Sequence, residues 1–291
     1  MAQHKAAVAD ALLLRSSGLG VQAYRLAEAA GVRTGVGYNY LWSPMVLHAR
    51  DLIASGELGE ITHYQGRFLT MYGSDELGLL TWRFILDQAG YGVTSDILSH
   101  SVSIAQFLVG DILEVVGMSN TTIPRRPLPT GAAGHYGRGS AEDPKGDVEN
   151  EDFASMLCRF ANGATGTFES SRTIVGPESE NAFEVYGTKG SLKWNHERLN
   201  EIELYRLGTG DDTGFPFHGA FVPGQGNSIG FEDLVAIEDY NFMESIATDG
   251  HFSPSFREAV DVVSVQQALI DSWESRSWQT VVDLAETKGA P

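Results

Sequence analysis

The chain has 291 residues, 42% of them hydrophobic and 20% charged, with a formal net charge of -18. That length holds one large domain or two modest ones with a sizeable core. A surface so acidic repels nucleic acid and anionic membranes, so neither is expected as a partner.

Residues 1–14 read as a helix, because Ala6, Ala7, Ala9, Ala11 and Leu12 give high propensity. Arg15-Ser-Ser-Gly-Leu-Gly20 breaks it, and a second helix runs over 21–30 with Gly31 as its stop. A short strand over 34–40 follows. Ser43 is then placed to cap a helix that has Pro44 in its first position and reaches Ala54. A strand over 61–70 leads to a Gly- and Leu-rich loop carrying Trp82, Arg83 and Phe84. After a helix beginning near Asp96, residues 113–118 form a strand, and 120–150 read as a long surface loop. Two hairpins come next. Strands 152–160 and 165–174 flank the tight-turn signal Asn162-Gly163, and 182–186 and 191–194 flank Gly187-Thr-Lys-Gly190. A strand over 202–207, a glycine-rich loop over 208–230 and helices over 232–247 and 255–274 complete the chain. Consecutive hairpins imply an open, mainly antiparallel sheet with helices packed on one face, an α+β domain. The opening residues look instead like the end of an α/β unit. The single cysteine, Cys158, rules out an intrachain disulfide and fits a reducing, cytoplasmic setting; it falls in an apparent strand and reads as core. No signal peptide and no transmembrane run is expected.

The stretch Gln88-Ala-Gly-Tyr-Gly-Val-Thr-Ser-Asp-Ile-Leu-Ser-His100 carries the chemistry. Gly90 and Gly92 make a turn before a helical run of Ile97, Leu98, Val102, Ile104, Ala105 and Leu108, which Ser95 or Asp96 can cap and Gly110 can end. Asp96 and His100 are i, i+4 on one helix face, with Cβ atoms about 5–6 Å apart. A carboxylate beside an imidazole suits a general base near neutral pH. The same spacing also suits a capping Asp with an unrelated surface His. His135, His196, His218 and His251 are scattered among loops without Cys or carboxylate at ligand spacing, so no metal site is expected.

Several weak pieces in a specific order then resemble the glucose–fructose oxidoreductase / inositol dehydrogenase / MocA (Gfo/Idh/MocA) family. They are Ala29-Ala-Gly-Val-Arg-Thr-Gly-Val-Gly-Tyr-Asn39, Leu52-Ile-Ala-Ser-Gly-Glu-Leu-Gly-Glu-Ile61, Trp82-Arg83, Gly90/Gly92…Asp96…His100, Phe107-Leu-Val-Gly110 and Gly187-Thr-Lys-Gly190. The resemblance implies an N-terminal Rossmann domain for NAD or NADP and a C-terminal domain whose open sheet supplies the substrate site and often an oligomer interface. It implies hydride transfer on a sugar, inositol or related polyol by a homo-oligomer. On it, His100 takes the hydroxyl proton and Asp96 binds substrate or orients the site. Tyr38 and Asn39 fall near the cofactor, and Tyr40, Trp82 and Arg83 near the substrate. A loop-anchoring Trp and a surface Arg fit the same two residues as well.

Two departures matter. The family's catalytic lysine comes from a Glu-Lys-Pro motif, and this sequence holds none; Leu13-Leu-Arg-Ser-Ser-Gly-Leu-Gly20 stands in its place. The earlier Rossmann strands would lie upstream of Met1, so residues 1–42 read as a Rossmann remnant of a truncated frame and 43–291 as the substrate and oligomerisation domain. Gly18-Leu-Gly-Val-Gln-Ala23 formally fits the dinucleotide fingerprint but follows apparent helix, so the match reads as accidental. The alternatives are a non-catalytic sugar-binding or oligomer-partner protein without cofactor, and a lyase or hydrolase using NAD transiently.

Overall fold

The computed structural model describes residues 6–9, 17–129, 131, 137–207, 210–214 and 229–286. At the N-terminal end, β1 (Ala6–Ala9) and β2 (Arg33–Val36) pair in parallel, Ala6 opposite Arg33 and Ala9 opposite Val36, with α1 (Ser17–Ala30) between them in sequence. Parallel partners need a crossover, usually a helix, and α1 supplies it. The helix expected over 1–14 is therefore a strand at Ala6–Ala9. Alanine's helix propensity is a weak prior, and tertiary pairing along the β2 edge overrides it. The rest of that expectation lies outside the described residues. The strand expected over 34–40 stops at Val36, where the chain turns: the Tyr38 amide donates to the Val36 carbonyl at 2.8 Å, and Asn39–Trp42 wind into a 3-10 turn. Pro44 opens α2 (Pro44–Ala54) as expected, but the Ser43 side chain makes no capping bond.

Among the described residues the main sheet has nine strands. They are β3 (Ile61–Leu69), β4 (Ile112–Asn120), β7 (Phe153–Phe160), β8 (Thr165–Ser171), β9 (Glu180–Gly187), β10 (Gly190–Asn195), β11 (Ile202–Arg206), β12 (Gly210–Gly214) and β13 (Gln279–Thr280). Their spatial order is β12-β11-β10-β9-β3-β8-β7-β4-β13. Only β3 and β8 run parallel; the other neighbours are antiparallel. The expected hairpins β7–β8 and β9–β10 are present, the first turning at Gly163 with φ +88°, where glycine avoids the Cβ penalty. The 120–150 region is not pure loop. It holds the small antiparallel pair β5 (Arg125–Pro127) and β6 (Lys145–Asp147).

Strand alternation sends one set of side chains to a helix-covered face. Tyr64, Phe68, Phe168, Phe183, Met156 and Cys158 are buried there, and burial pushes the Cys158 thiol up to about 12. Helix α4 (Ile97–Leu108) lies on this face against β3, β8 and β9, and α6 (Phe256–Ser275) packs on β4, α4 and α1. The short α3 (Leu86–Ala89) leads into the α4 segment, and α5 (Phe231–Thr248) packs beside the Asn39–Trp42 turn. Ser255 starts α6 with a reciprocal capping box to Glu258. No described helix is long and apolar enough to cross a membrane.

Candidate active site

The loop before α4 is clamped from below. Both oxygens of the buried Glu151 carboxylate accept backbone amides, from Gly92 at 2.9 Å and Thr94 at 2.9 Å, while the Gln266 side chain donates to the Thr94 carbonyl. A Cβ on Gly92 would stand 2.0 Å from the Glu151 carbonyl oxygen, which is itself held by the Val93 amide. Gly92→Ala is therefore expected to cost about 1–3 kcal/mol through forced backbone displacement, read as a lowered urea midpoint.

Asp96 stands at the N-cap position of α4, as expected, but its side chain makes no capping hydrogen bond. Its Oδ2 is taken by Arg83 Nη1 at 2.8 Å and the Tyr72 hydroxyl at 3.2 Å. Burial first, and the Asp96 charge second, push the Tyr72 phenol well above its ordinary range, so it stays protonated and donates. One turn on, half-buried His100 lies edge-on to Tyr38 (5.5 Å between ring centroids) and Tyr40 (5.1 Å), with Phe68 at 6.2 Å.

Tyr38, Asn39 and Tyr40 are buried at the C-terminal end of β2. Tyr40 is the hub: Phe68, His100, His196 and Phe231 surround its ring. Burial raises its phenol to about 12, against a Ser179 side-chain hydrogen bond and with the Asp96 charge. Trp82 is exposed, and the Arg83 guanidinium lies 4.8 Å from its ring centroid. The Arg83 carbonyl accepts from Asn150 Nδ2 at 3.0 Å and from Arg172 Nη1 at 3.2 Å. Arg172 is buried and paired with Asp152 at 2.7 Å.

So His100, Asp96, Arg83, Tyr38 and Tyr40 come together, with Trp82 at the rim. Tyr72, Glu151, Asn150, Arg172 and His196 join them without having been singled out for the site. His196, which the sequence shows only as one of several scattered loop histidines, is brought to Tyr40 at the end of β10. His135 and His218 lie outside the described residues, and no group of three potential metal ligands occurs among those described.

A family model described as GFO/IDH/MocA C-terminal domain matches residues 46–193. The chain belongs to this family. Levoglucosan dehydrogenase of Pseudarthrobacter phenanthrenivorans is 34% identical over 262 residues, covering 86% of this chain and 67% of the relative. D-apiose dehydrogenase of Rhizobium rhizogenes is 23% identical over 172 residues, covering 58% of this chain and 42% of its own length. Among solved structures, levoglucosan dehydrogenase with NADH and L-sorbose superposes with TM-score 0.89 at 30% identity, covering 96% of this chain and 74% of that one. The same enzyme with NADH and levoglucosan gives 0.87 at 29% identity, covering 95% and 73%. An inositol dehydrogenase homologue from Azotobacter vinelandii, at 20% identity and TM-score 0.76 over 94% of this chain and 71% of that one, shares the fold.

Tyr38 and Asn39 lie just past the carboxyl end of a parallel strand, where open α/β sheets bind ligands. Gly18 and Gly20 sit inside the first turn of α1, whereas the dinucleotide fingerprint puts its first glycine in the turn between strand and helix.

Proposed function

We propose that this chain takes part in NAD(P)-dependent oxidation of a sugar, inositol or related polyol, exchanging hydride between a carbinol carbon and nicotinamide. The observation that carries this is His100 one turn into α4 from the N-cap residue Asp96, with its ring against Tyr38 and Tyr40 just past β2. NAD(P), when bound, would supply the acceptor for the hydride leaving the carbinol carbon. His100 takes the hydroxyl proton as the carbonyl forms, and the Tyr38, Tyr40 and Phe68 rings fix its plane. Arg83 and Tyr72 hold Asp96 by one oxygen, which leaves the other to orient the imidazole or a substrate hydroxyl. Asn39 and Tyr38 serve the nicotinamide side, and Tyr40, Trp82 and Arg83 the sugar side. The parallel β1–α1–β2 unit supports assigning residues 1–42 to part of a dinucleotide-binding domain and 43–291 to the substrate and oligomerisation domain. The test is turnover of levoglucosan and a polyol panel by the purified chain with NAD+ and NADP+. NADH or NADPH formation is expected; a folded sample that binds sugar but neither cofactor would point to a sugar-binding protein instead.

The chain is further read as a homo-oligomer. The sheet face away from the helices holds a groove of about 660 Å³ lined by residues including Gln65, Arg67, Val116, Met118, Leu157 and Thr167. Met118 and Leu157 are 57% and 51% exposed there. A solvated antiparallel face ordinarily turns polar side chains outward, and a clustered apolar patch marks an interface. Leu157→Arg is expected to convert the oligomer to monomer in light scattering, and an unchanged mass would dismiss this face as the contact.

A further inference from the structure

His196 is a second imidazole at the candidate site, and its hydrogen bonding fixes its chemistry. It starts the 3-10 turn His196–Arg198 directly after β10. Nδ1 lies 3.0 Å from the Ser179 carbonyl oxygen. A carbonyl only accepts, so Nδ1 carries the proton, and in the neutral ring Nε2 is left as an acceptor. Burial lowers the imidazole's pKa below its ordinary value, outweighing the Ser179 bond and the Glu197 charge, so the neutral form prevails at neutral pH. The ring is edge-on to Tyr40 at 5.1 Å and to Phe231 at 5.6 Å, with Trp194 at 6.2 Å, yet it stays only half-buried.

One short segment sets both this imidazole and the Tyr40 hydroxyl. The Glu197 carboxylate accepts the amides of Glu178 (2.8 Å) and Ser179 (3.0 Å), and Asn195 Oδ1 accepts the Glu197 amide at 2.9 Å. Ser179 then bonds Tyr40 with its side chain and His196 with its carbonyl. His100 and His196 each stand 5.1 Å from the Tyr40 ring centroid, so they are separated by at most twice that distance. A pyranose with hydroxyls on different carbons bridges such an interval. Packing alone would be served by phenylalanine, as at Phe231 and Phe68 around the same ring; what an imidazole adds is a directed acceptor nitrogen.

We propose that His196 is a specificity-determining residue, whose Nε2 accepts a hydrogen bond from a sugar hydroxyl other than the one oxidised at His100. This rests on the sugar-dehydrogenase reading above. A site that pairs with a substrate hydroxyl rejects the analogue that lacks or misplaces it.

The experiment compares kcat and KM for the best substrate of the panel and its epimers and deoxy analogues, in the holoenzyme and in three variants. His196→Phe keeps the ring packing and removes the acceptor; His196→Gln returns a polar group near the Nε2 position; His196→Asn returns one near Nδ1. For His196→Phe, KM for the best substrate is expected to rise about tenfold with kcat nearly unchanged, and discrimination against one epimer to fall by a similar factor. His196→Gln should recover part of that discrimination and His196→Asn should not. In 15N-labelled wild type, sugar should shift the Nε2 resonance of a ring protonated at Nδ1. Unchanged discrimination in His196→Phe, in an enzyme whose wild type turns sugars over, would overturn the role of His196 while leaving the dehydrogenase standing. A folded wild type that neither binds nor oxidises any sugar would overturn both.

Discussion

His100→Ala is expected to lower kcat by about 10²–10⁴-fold, the range that a positioned general base contributes. An alcohol is a poor hydride donor while its proton is in place, so the base must remove that proton as hydride departs. In the described part of the site, the groups around His100 are poor substitutes. Burial holds the phenols of Tyr38 and Tyr72 far above neutral pH and that of Tyr40 at about 12. The Arg83 guanidinium is committed to Asp96. Asp96→Asn should cost less than His100→Ala, because Tyr72 can still bond the remaining amide oxygen. The measurement is steady-state kinetics with a melting curve for each variant. A folded His100→Ala enzyme with wild-type kcat would remove His100 from the proton step.

Much of this site was legible because its parts are local. The apolar spacing from Ile97 to Leu108 identifies α4, which begins directly after Asp96 and carries His100 in its first turn. Tyr38 and Asn39 carry no signal of their own; only the family resemblance marked them, and their strand proved to end at Val36. What pairing at long range decides was not legible. Strand β3 enters between β8 and β9, which come a hundred residues later, and periodicity of 2 is silent about neighbours. Ala6–Ala9 has the composition of a helix and is a strand because β2 offers it an edge. His196 reaches Tyr40, and Arg172 reaches the Arg83 carbonyl, only after the sheet has formed. One signal was available for the second of these. Glu149-Asn-Glu-Asp152 concentrates acid just before an apolar strand, and buried carboxylates need partners. Glu151 and Asp152 find theirs in backbone amides and in Arg172.

The same buried cluster should dominate stability. The Arg172 and Asp152 side chains are 1% and 0% exposed, and Arg172 also donates to Asn150 Oδ1 at 2.8 Å. Breaking a buried ion pair on one side strands a charge and costs about 3–5 kcal/mol. The two sides are not equivalent here. Arg126, equally buried, bonds the Asp75 and Gly73 carbonyls through its guanidinium, which lies 4.2 Å from the Phe84 ring centroid while that of Arg172 lies at 4.4 Å. Two guanidiniums thus share one aromatic ring, and the buried Asp152 carboxylate acts on both, paired with Arg172 and attracting Arg126. Losing Arg172 relieves repulsion on Arg126 while exposing Asp152 to it; losing Asp152 leaves both cations buried against each other. Asp152 Oδ2 also accepts the Ile123 amide at 3.0 Å, a bond that alanine abandons. Asp152→Ala is therefore expected to destabilise more than Arg172→Met, and Asp152→Asn to fall between them, since it keeps an acceptor for Ile123 but loses the charge. Urea midpoints at constant slope give the ranking. Arg172→Met costing more than Asp152→Ala would mean that the packing of the arginine on Phe84 outweighs the charge balance. In either case the Arg83 carbonyl loses part of its support, so Asp96 should loosen and KM should rise in whichever variants still fold.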